Sequence, residues 1–583
     1  MIQIVKDSDT RPWFFLQTAH TTYGMWVMET GHLEHLYYGE RITVDSQDPA
    51  SCAPLVIQRG FAPGNTCTYD KEHPHISMED VCLEVGTLGK GDIREPFLEV
   101  RFTDGSVTSN FTFDSYEVIT LKEREQCLQD SGLPHSYSEA ETDSAECLQI
   151  ILQDVTNHLE LQLFYTVFEE CDVITRSARL INHSDASVTL NRCLSAQLDL
   201  TEDYSVITHF SGAWAREMHR EQISLRSGKF INASYTGNSS NRSNPFMILG
   251  HKNTCETFGS CIGCNLIYSG NHRMQAEVDT HDTTRITVGI NPQNFDWKLD
   301  CGESFQTPEA VVVFSDKGLN GMSQTFHKLY QKRLARGYWR DRPRPILNNN
   351  WEATYFDFDE NKLVGLMDEA VKLGVDMFLL DDGWFGNKYP RSGDHQGLGD
   401  WKETADKLPN GVGRLVEEAQ KKGIKFGIWI EPEMVNPKSE LYEKHKDWVI
   451  HLPNRDEYYF RNQLVLDLSN PAVQDHVFGV VDKLMTNYPG IAFFKWDCNS
   501  PITNIYSPYL KNKQGQLYID HVRGIYNVMK RVKANYPDVP MMLCSGGGAR
   551  CDYEALKYFT EFWCSDNTDP VERIYIQWGF SQF

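Results

Sequence analysis

The 583-residue sequence predicts a multidomain protein, with an N-terminal antiparallel β-sandwich followed by an incomplete (β/α)8-type barrel. Three observations predict this fold class. The chain is too long for a single hydrophobic core. Residues 1 to about 335 contain short β-rich runs separated by polar turns. After Pro345, apolar runs alternate with helical segments, which is the pattern of βα units.

The predicted boundaries place the β-sandwich at residues 1–318, a helical linker at 319–345 and the catalytic barrel at 346–583. Residues 319–337 of the linker are predicted to form a helix. DRPRP at 341–345 then marks the start of a new domain, because proline interrupts regular structure.

Two stretches of the N-terminal part carry specific predictions. The β-rich runs DVITRSARLIN and SVTLNRCLSAQLDL flank the polar tetrapeptide HSDA, and we interpret them as a β-hairpin. The polar stretch SYTGNSSNRSNPF at 234–246 offers nothing to bury, which predicts a surface loop.

Six βα repeats follow the boundary, and each apolar run ends in polar or acidic residues. That pattern favours a barrel over an open sheet, since barrel enzymes keep their chemistry at the carboxyl ends of the strands. Only 17 residues follow Asp566, so two of the eight expected βα units are predicted to be missing, either because the chain is a fragment or because another polypeptide closes the barrel. The six runs are ILNNNW, DMFLLDDGW, KFGIWIEPE, AFFKWDCN, PMMLCSGGG and FTEFWCSDN.

Composition and charge exclude several classes of function. The formal net charge of -24 argues against nucleic acid or an anionic membrane as the main partner, so a neutral or cationic small molecule is expected. We find neither a signal-peptide pattern nor an apolar run long enough for a membrane span. The 15 cysteines suggest reduced thiols and a cytoplasmic location. Cys261 and Cys264 have C-x-x-C spacing but lack a second ligand pair, so no metal and no cofactor is predicted.

Two aspartates follow buried strands at the places where those strands are expected to emerge, namely Asp497 in KWDCN and Asp566 in SDNTD. In one parallel barrel these carboxylates converge on one mouth, which is the arrangement that glycoside hydrolysis requires. Lys495 shares a strand face with Asp497 and would favour its ionised form, as a nucleophile needs. Asp566 beside Trp563 is the candidate proton donor.

Other strand ends carry weaker candidates. Asp381 and Asp382 lie on a turn where sugar hydroxyls could donate to them, although a helix-capping role is the alternative. On the first interpretation, Asp382→Ala weakens catalysis without unfolding the protein. Glu431 and Glu433 rank below the aspartates, and Asp569 could cap the helix that Pro570 begins.

Taken in order, these motifs resemble the retaining α-galactosidases of glycoside hydrolase family 36, of the bacterial raffinose and melibiose type. The similarity covers nearly the whole chain. The motifs are HFSGAWARE, GKGDIREP, NNNWEATYFDF, LLDDGWFG, LGDW, RNQLVLDLS, KWDCN, CSGGGAR and SDNTD.

The resemblance implies Asp497 as the nucleophile and Asp566 as the general acid/base, with Trp401 in the sugar-binding wall and Trp351 shaping the site for the leaving group. It also implies a homotetramer in which a neighbour's β domain reaches the site, and a C-terminal β domain that this sequence lacks. Trp214 matches the residue from the neighbour, and Asp70 matches it less clearly. The residues assigned to galactose hydroxyls are Asp381, Asp382, Lys495, Asn499, Arg461, Cys544 and Gly546.

Two alternatives remain open from the sequence. One is a galactosyltransferase of the raffinose-synthase type, which would pass the same covalent intermediate to a sugar instead of water. The other is a non-catalytic galactoside-binding fragment, suggested by the incomplete barrel. Product analysis in the presence of sucrose separates the first alternative from hydrolysis, and binding without product release would indicate the second.

Overall fold

The structure is a computed structural model that describes residues 1–6, 11–57, 67–138, 143–201 and 203–583. Antiparallel sheets form the N-terminal part and a curved parallel sheet forms the C-terminal part, which confirms the predicted fold class.

The described elements up to Ser315 are β1 (Ile2–Lys6), β2 (Pro12–Gln17), β3 (Thr21–Val27), β4 (Leu33–Glu40), β5 (Leu98–Arg101), β6 (Thr112–Thr120), α1 (Leu121–Leu128), β7 (Glu146–Asp154), β8 (Leu159–Phe168), β9 (Val173–Asn182), β10 (Val188–Leu200), β11 (Val206–Ala213), β12 (Arg216–Ser224), β13 (Gly228–Ala233), β14 (Ser243–Gly250), β15 (Cys261–Ile267), β16 (His272–Val278), β17 (Thr284–Ile290), β18 (Trp297–Leu299), β19 (Ser304–Gln306) and β20 (Glu309–Ser315).

The elements from Gly318 onward are α2 (Gly318–Arg333), β21 (Leu347–Asn349), α3 (Trp351–Thr354), α4 (Glu360–Lys372), β22 (Met377–Leu380), α5 (Gly411–Lys421), β23 (Lys425–Ile430), β24 (Met434–Val435), α6 (Glu440–Lys444), β25 (Leu464–Val465), α7 (Pro471–Asn487), β26 (Ile491–Trp496), α8 (Leu517–Asn535), β27 (Met541–Leu543), β28 (Glu561–Phe562) and α9 (Pro570–Gln582).

Three antiparallel sheets make up the N-terminal part. One contains β1 to β4 in chain order. The second has the order β13-β16-β17-β10-β18, with β5 beside β10, and the third has the order β12-β11-β14-β15-β20-β9-β8-β7-β6, with β19 beside β9. Apolar side chains of all three sheets pack into one core, as Leu16, Leu161 and Val288 do.

The predicted hairpin of β9 and β10 is wrong, although both strands exist. β9 pairs with β8, β19 and β20, whereas β10 pairs with β5, β17 and β18 in the other large sheet. The connection at residues 183–187 therefore crosses between sheets. Asn182 stabilises this crossing, because its side-chain amide donates to the carbonyls of Ala186 and Leu299. Hydrophobic pattern identifies a strand but does not choose its partner.

Helix α2 packs its apolar face on the ten-stranded sheet, where β15 and β20 lie. Its contact side includes Met322 and Phe326, which are fully buried. Gly263 in β15 permits this approach, because a Cβ there would come within 2.5 Å of the Met322 sulfur. The helix was predicted over residues 319–337 and ends at Arg333, four residues earlier.

The C-terminal part contains a six-stranded parallel sheet in the order β21-β22-β23-β26-β27-β28. Neighbouring strands are in register near their carboxyl ends, as the pairs Leu380–Ile428 and Trp496–Leu543 show. α-Helices separate the strands in the predicted alternation, except between β27 and β28. The residues after β22, β23, β26, β27 and β28 therefore come together at one edge, which is where the predicted acids lie.

All 15 cysteines are free thiols. Cys261 and Cys264 are buried on β15, where burial raises the pKa of each thiol to about 12. Both thiols are therefore protonated at neutral pH. Within the described residues, no helix is both long and apolar enough to cross a membrane.

Candidate active site

A cavity of about 1090 Å³ opens at the carboxyl edge of the parallel sheet. Its walls come from the strand ends, from the segment around Phe460 and from the N-terminal part. The predicted barrel residues on its surface are Trp351, Arg461, Lys495, Asn499, Gly546 and Asp566.

The carboxylate of Asp497 lies directly after β26 and is held by three N–H donors. The Trp429 indole donates to Oδ2 at 3.1 Å, and the amides of Cys498 and Gly546 donate to Oδ1 at 2.9 and 3.2 Å. The amide of Asp497 itself donates to the carbonyl of Ile430 at 2.8 Å. Both backbone and side chain are thus fixed by neighbouring strand ends.

The charge state of Asp497 follows from its surroundings. Burial would raise its pKa, but the Lys495 ammonium and the Arg461 guanidinium outweigh burial and hold the pKa below its usual range. Asp497 is therefore ionised in neutral solution, although it is only 6% exposed. A buried carboxylate that stays ionised can act as a nucleophile.

The carboxylate of Asp566 accepts hydrogen bonds from two indoles. Trp563 Nε1 donates to Oδ1 at 2.9 Å, and Trp214 Nε1 donates to Oδ2 at 2.9 Å. Trp214 belongs to the turn between β11 and β12 in the N-terminal part of the same chain. This differs from the expectation that Trp214 serves a neighbouring subunit, because here it reaches the site of its own chain.

The turn that carries Trp214 is tied to the Asp566 loop at two further points. The Ser565 hydroxyl donates to the fully buried carboxylate of Glu217 at 2.5 Å, and the Asn567 amide donates to the carbonyl of Ala215 at 2.9 Å. Residues more than 340 positions apart therefore form one rigid corner of the cavity.

Lys495 links two strand ends. Its ammonium donates to Asp381 Oδ2 at 2.9 Å, and the Asn349 amide donates to the same oxygen at 2.5 Å. Burial would lower the pKa of Lys495, but the Asp381 carboxylate raises it above its usual value, so the ammonium stays charged. Asp381 is 3% exposed and lies just behind the cavity surface.

The carboxylate of Asp382 is paired with a protein side chain. The guanidinium of Arg391, whose side chain is 0% exposed, donates to Oδ1 at 3.0 Å and to Oδ2 at 2.8 Å. Asp382 therefore has a protein partner in addition to the sugar hydroxyls expected from the sequence, and its binding of substrate stays a prediction. Arg391 follows Asp382 by nine residues in an irregular segment, so strand and helix patterns gave no signal of this ion pair.

The remaining predicted residues lie at different depths. The Cys544 thiol is buried, and burial together with the Asp497 charge raises its pKa well above the usual value. Trp401 is absent from the cavity surface and packs 4.6 Å from Phe385. Asp70 also lies away from the cavity, where its carboxylate accepts a hydrogen bond from the amide of His73 at 2.7 Å.

Glu431, ranked low from the sequence, supports the site from behind. Its carboxyl group is fully buried and accepts the Asn499 amide at 2.7 Å and the Gln463 side-chain amide at 2.9 Å. Burial and the Asp497 charge raise the pKa of Glu431 to about 8. The position of Glu431 directly after β23 was a usable signal, and so was the position of Trp429 at the carboxyl end of that strand.

The polar stretch predicted as a surface loop is a cavity wall. Ser239, Ser240 and Asn241 are at most 4% exposed, and residues 236, 238 and 240–242 line the cavity. Residues from Ser243 onward belong to β14. Composition indicated the absence of regular structure correctly, but polar side chains can be buried where a ligand site or a second domain supplies their partners.

One possible cation-binding cluster occurs in the described ranges, formed by Glu79, Asp80 and His281, whose ligand atoms lie within 4.8 Å of one another. None of the three lines the cavity. Asp569 is not on the cavity surface either, because its carboxylate accepts the amides of Val571 and Glu572 as the N-cap of α9. The capping alternative stated for Asp569 is thus confirmed.

Comparison with protein families gives two matches that together cover most of the chain. Residues 31–300 match the glycosyl hydrolase family 36 N-terminal domain, and residues 304–583 match melibiase.

Individual relatives agree with these matches. The chain is 42% identical to alpha-galactosidase AgaA of Geobacillus stearothermophilus over 97% of its own length and 76% of the relative's. The crystal structure of the α-galactosidase from Lactobacillus brevis superimposes with a TM-score of 0.93 at 37% identity, covering 99% of this chain and 76% of that one. A structure of AgaA in complex with raffinose gives a TM-score of 0.92 at 40% identity, covering 98% and 77%.

We expect Asp382→Ala to destabilise the protein by about 3–5 kcal/mol, because it removes the two-point counter-charge of the buried Arg391 guanidinium and leaves only Asp394 at 3.5 Å. The midpoint of thermal or urea unfolding measures this loss. Asp357→Ala is the matched control, since its side chain is 98% exposed in an ion pair with Lys362. Equal midpoints for the two variants would contradict the structural role of Asp382.

We also expect the stability of the wild-type protein to fall as the pH rises from about 5 to 8. Glu431 titrates at about 8 when folded but near its ordinary value of 4.5 when unfolded, so in this range only the folded state keeps the proton. Glu431→Gln should flatten the decline in melting temperature. The buried Gln463 Oε1, which lacks a partner among the described residues, can accept from the new amide.

The control for that measurement is Glu369→Gln, whose side chain is 67% exposed. Its melting temperature should follow the wild-type pH dependence. A Glu431→Gln protein with the full wild-type slope would contradict a protonated Glu431.

Proposed function

This chain belongs to glycosyl hydrolase family 36, and on that basis we propose that it is a retaining α-galactosidase that removes terminal α-D-galactosyl residues from oligosaccharides of the raffinose and stachyose class. The relatives support this substrate class, because AgaA is described in complexes with raffinose and with stachyose. The observation that carries the proposal is that Asp566 lines the cavity while Asp497 lies between the lining residues Lys495 and Cys498 of the same cavity wall. Gly546 connects them, since its amide contacts Asp497 and a Cβ at this position would lie 3.8 Å from the Trp214 ring that contacts Asp566.

In the first step, an Asp497 oxygen attacks the anomeric carbon while Asp566 gives its proton to the departing glycosidic oxygen. An ester between Asp497 and galactose forms as the glycosidic bond breaks. In the second step Asp566 takes a proton from water, whose oxygen attacks the anomeric carbon and releases Asp497. Two inversions give net retention, for which we expect the two carboxyl groups to lie about 5–5.5 Å apart.

The surrounding residues are assigned to binding and orientation. Lys495 keeps Asp497 ionised and has further N–H bonds to offer to galactose hydroxyls. Asn499 presents a side-chain oxygen for which we find no partner among the described residues. Arg461, Cys544 and Gly546 complete the proposed galactose site. For Asp382 and Trp401 we propose supporting roles, because the Asp382 carboxylate is paired with Arg391 and Trp401 packs on Phe385.

We propose a homo-oligomer in a reducing compartment such as the cytoplasm. The 15 free cysteines support the compartment, since disulfides are rare where thiols are kept reduced. Only the family resemblance supports the oligomer, and the mass of the purified protein in solution tests it.

Azide distinguishes the two catalytic roles. Asp497→Gly should show no hydrolysis of an aryl α-galactoside, and added azide should attack the substrate directly and give the inverted β-galactosyl azide. Asp566→Ala should lose about 10²–10⁴-fold in rate on raffinose. With an activated aryl α-galactoside it should still form the covalent intermediate, from which azide gives the retained α-galactosyl azide.

The configuration of each azide product, read by NMR, checks these assignments. Asp569→Asn is the matched control, because asparagine is an equally good N-cap and this residue takes no part in the reaction. Reversed azide configurations would exchange the two roles, and full activity of either variant would remove that residue from the mechanism.

The Lys495 charge should be visible in the pH dependence of kcat/KM. Because the ammonium lowers the pKa of Asp497, Lys495→Met should move the acid limb of the profile to higher pH, whereas Lys495→Arg should move it less. Lys388→Met, which removes an exposed lysine paired with Glu443, should leave the profile unchanged. An acid limb at the same pH in Lys495→Met would show that Lys495 does not set the ionisation of Asp497.

A further inference from the structure

The cavity wall formed by residues 236–242, here called the N-loop, comes from the N-terminal part and joins β13 to β14 through the segment after Ala233. None of the catalytic or galactose-binding roles proposed above involves the N-loop. Its position against the cavity raises the question of what it binds.

The backbone of the N-loop is anchored at several points. The Gly237 amide donates to the Asn271 side chain at 2.7 Å, and the Ile502 amide donates to the carbonyl of Thr236 at 2.9 Å. Gly237 has φ +80°, and a Cβ there would come within 2.6 Å of the Ile502 side chain. Ile502 follows Asp497 by five residues, so the N-loop is fastened to the segment that leaves the proposed nucleophile.

Two serines fix the second half of the N-loop. The buried Ser239 hydroxyl donates to the buried Asp552 carboxylate at 2.9 Å. Ser240 has φ +68°, a left-handed conformation that costs a non-glycine residue about 1–2 kcal/mol. Its hydroxyl accepts the Arg242 amide at 3.1 Å, which helps to hold that conformation. The N-loop is therefore a preformed surface.

The N-loop presents hydrogen-bond donors and acceptors to the cavity that the protein itself does not fully use. Asn241 is 4% exposed and lines the cavity, and its amide makes no hydrogen bond to any residue of the described ranges. Thr236 donates to the Asn238 side-chain oxygen at 2.9 Å, which leaves the Asn238 NH2 group available. The Arg242 guanidinium forms no ion pair within the same ranges. Amides and a guanidinium side by side suit the alternating donors and acceptors of vicinal hydroxyls.

The position of these N-loop side chains along the depth of the cavity indicates that they bind the leaving group of the substrate. Lys495 and Asp497 are 7% and 6% exposed, whereas Trp214 and Tyr355 on the same cavity are 66% and 57% exposed. A terminal galactose must enter the closed end, so the rest of the substrate extends toward the open end, where Arg242 is exposed. The volume of about 1090 Å³ slightly exceeds the roughly 300–1,000 Å³ usual for small-molecule sites, and leaves room beyond one pyranose ring.

We propose that Asn238, Asn241 and Arg242 form a subsite for the leaving group that favours a polyhydroxylated sugar over an aryl group. This inference rests on the proposed α-galactosidase function. The N-terminal part then contributes to the specificity of its own chain's barrel, in addition to the contact that Trp214 makes with Asp566.

The test compares kcat/KM for raffinose and for p-nitrophenyl α-galactoside in Asn241→Ala, Arg242→Ala and the double variant. Each lost hydrogen bond should lower the ratio of raffinose to aryl activity about two- to tenfold. The inhibition constant of free galactose should change less than the KM for raffinose, because galactose occupies only the closed end. Arg226→Ala, an exposed arginine of the same part that does not line the cavity, is the control and should keep the wild-type ratio.

The possible outcomes separate this inference from the proposed function. Equal losses on both substrates would show that the N-loop only maintains structure and would overturn the inference. A wild-type protein that cleaves neither substrate would refute the proposed function instead. Arg242 is exposed, so Arg242→Ala keeps the test decisive even where Asn241→Ala fails to fold, and an unchanged ratio in Arg242→Ala would remove that residue from the subsite.

Discussion

The buried ammonium of Lys495 is the interaction on which the site depends. It donates to the Asp381 carboxylate and attracts the Asp497 carboxylate electrostatically, and these two acids follow two different strands of the parallel sheet. Without the cation, two negative charges would share one buried space, which is costly in a medium of low polarity. With it, the strand ends must meet in the correct register before any of the three charges is balanced. The same interaction therefore specifies the fold and sets the ionisation of the proposed nucleophile.

The sequence predicted the parts of this arrangement that follow from strand geometry. An acid directly after an apolar run must appear at the carboxyl edge of a parallel sheet, so Asp381, Asp497 and Asp566 were located without coordinates. Side chains that meet through irregular segments were not predictable in this way. Arg391 reaches Asp382 from a stretch without periodicity, and Trp214 reaches Asp566 across 352 residues.

The errors in the N-terminal part have a related cause. The strands β9 and β10 were identified correctly, but their pairing depends on which edges the rest of each sheet leaves free, and local pattern contains no information about that. The polar side chains of residues 234–246, which include the N-loop, predict a surface loop. Its burial becomes intelligible only when Asp552 and the cavity are present as partners.

The two indoles on Asp566 come from opposite halves of the polypeptide, Trp563 from the barrel and Trp214 from the β-rich part. Because both halves donate hydrogen bonds to Asp566, a substitution in one half limits which substitutions the other half can accept. A recombination event that exchanged one half for that of a distant homologue would disturb the corner where Glu217 and Ser565 meet, and also the hydrophobic clusters that contain residues of both halves. Selection on catalysis therefore acts on the junction between the halves, and we expect them to have been inherited as a single unit.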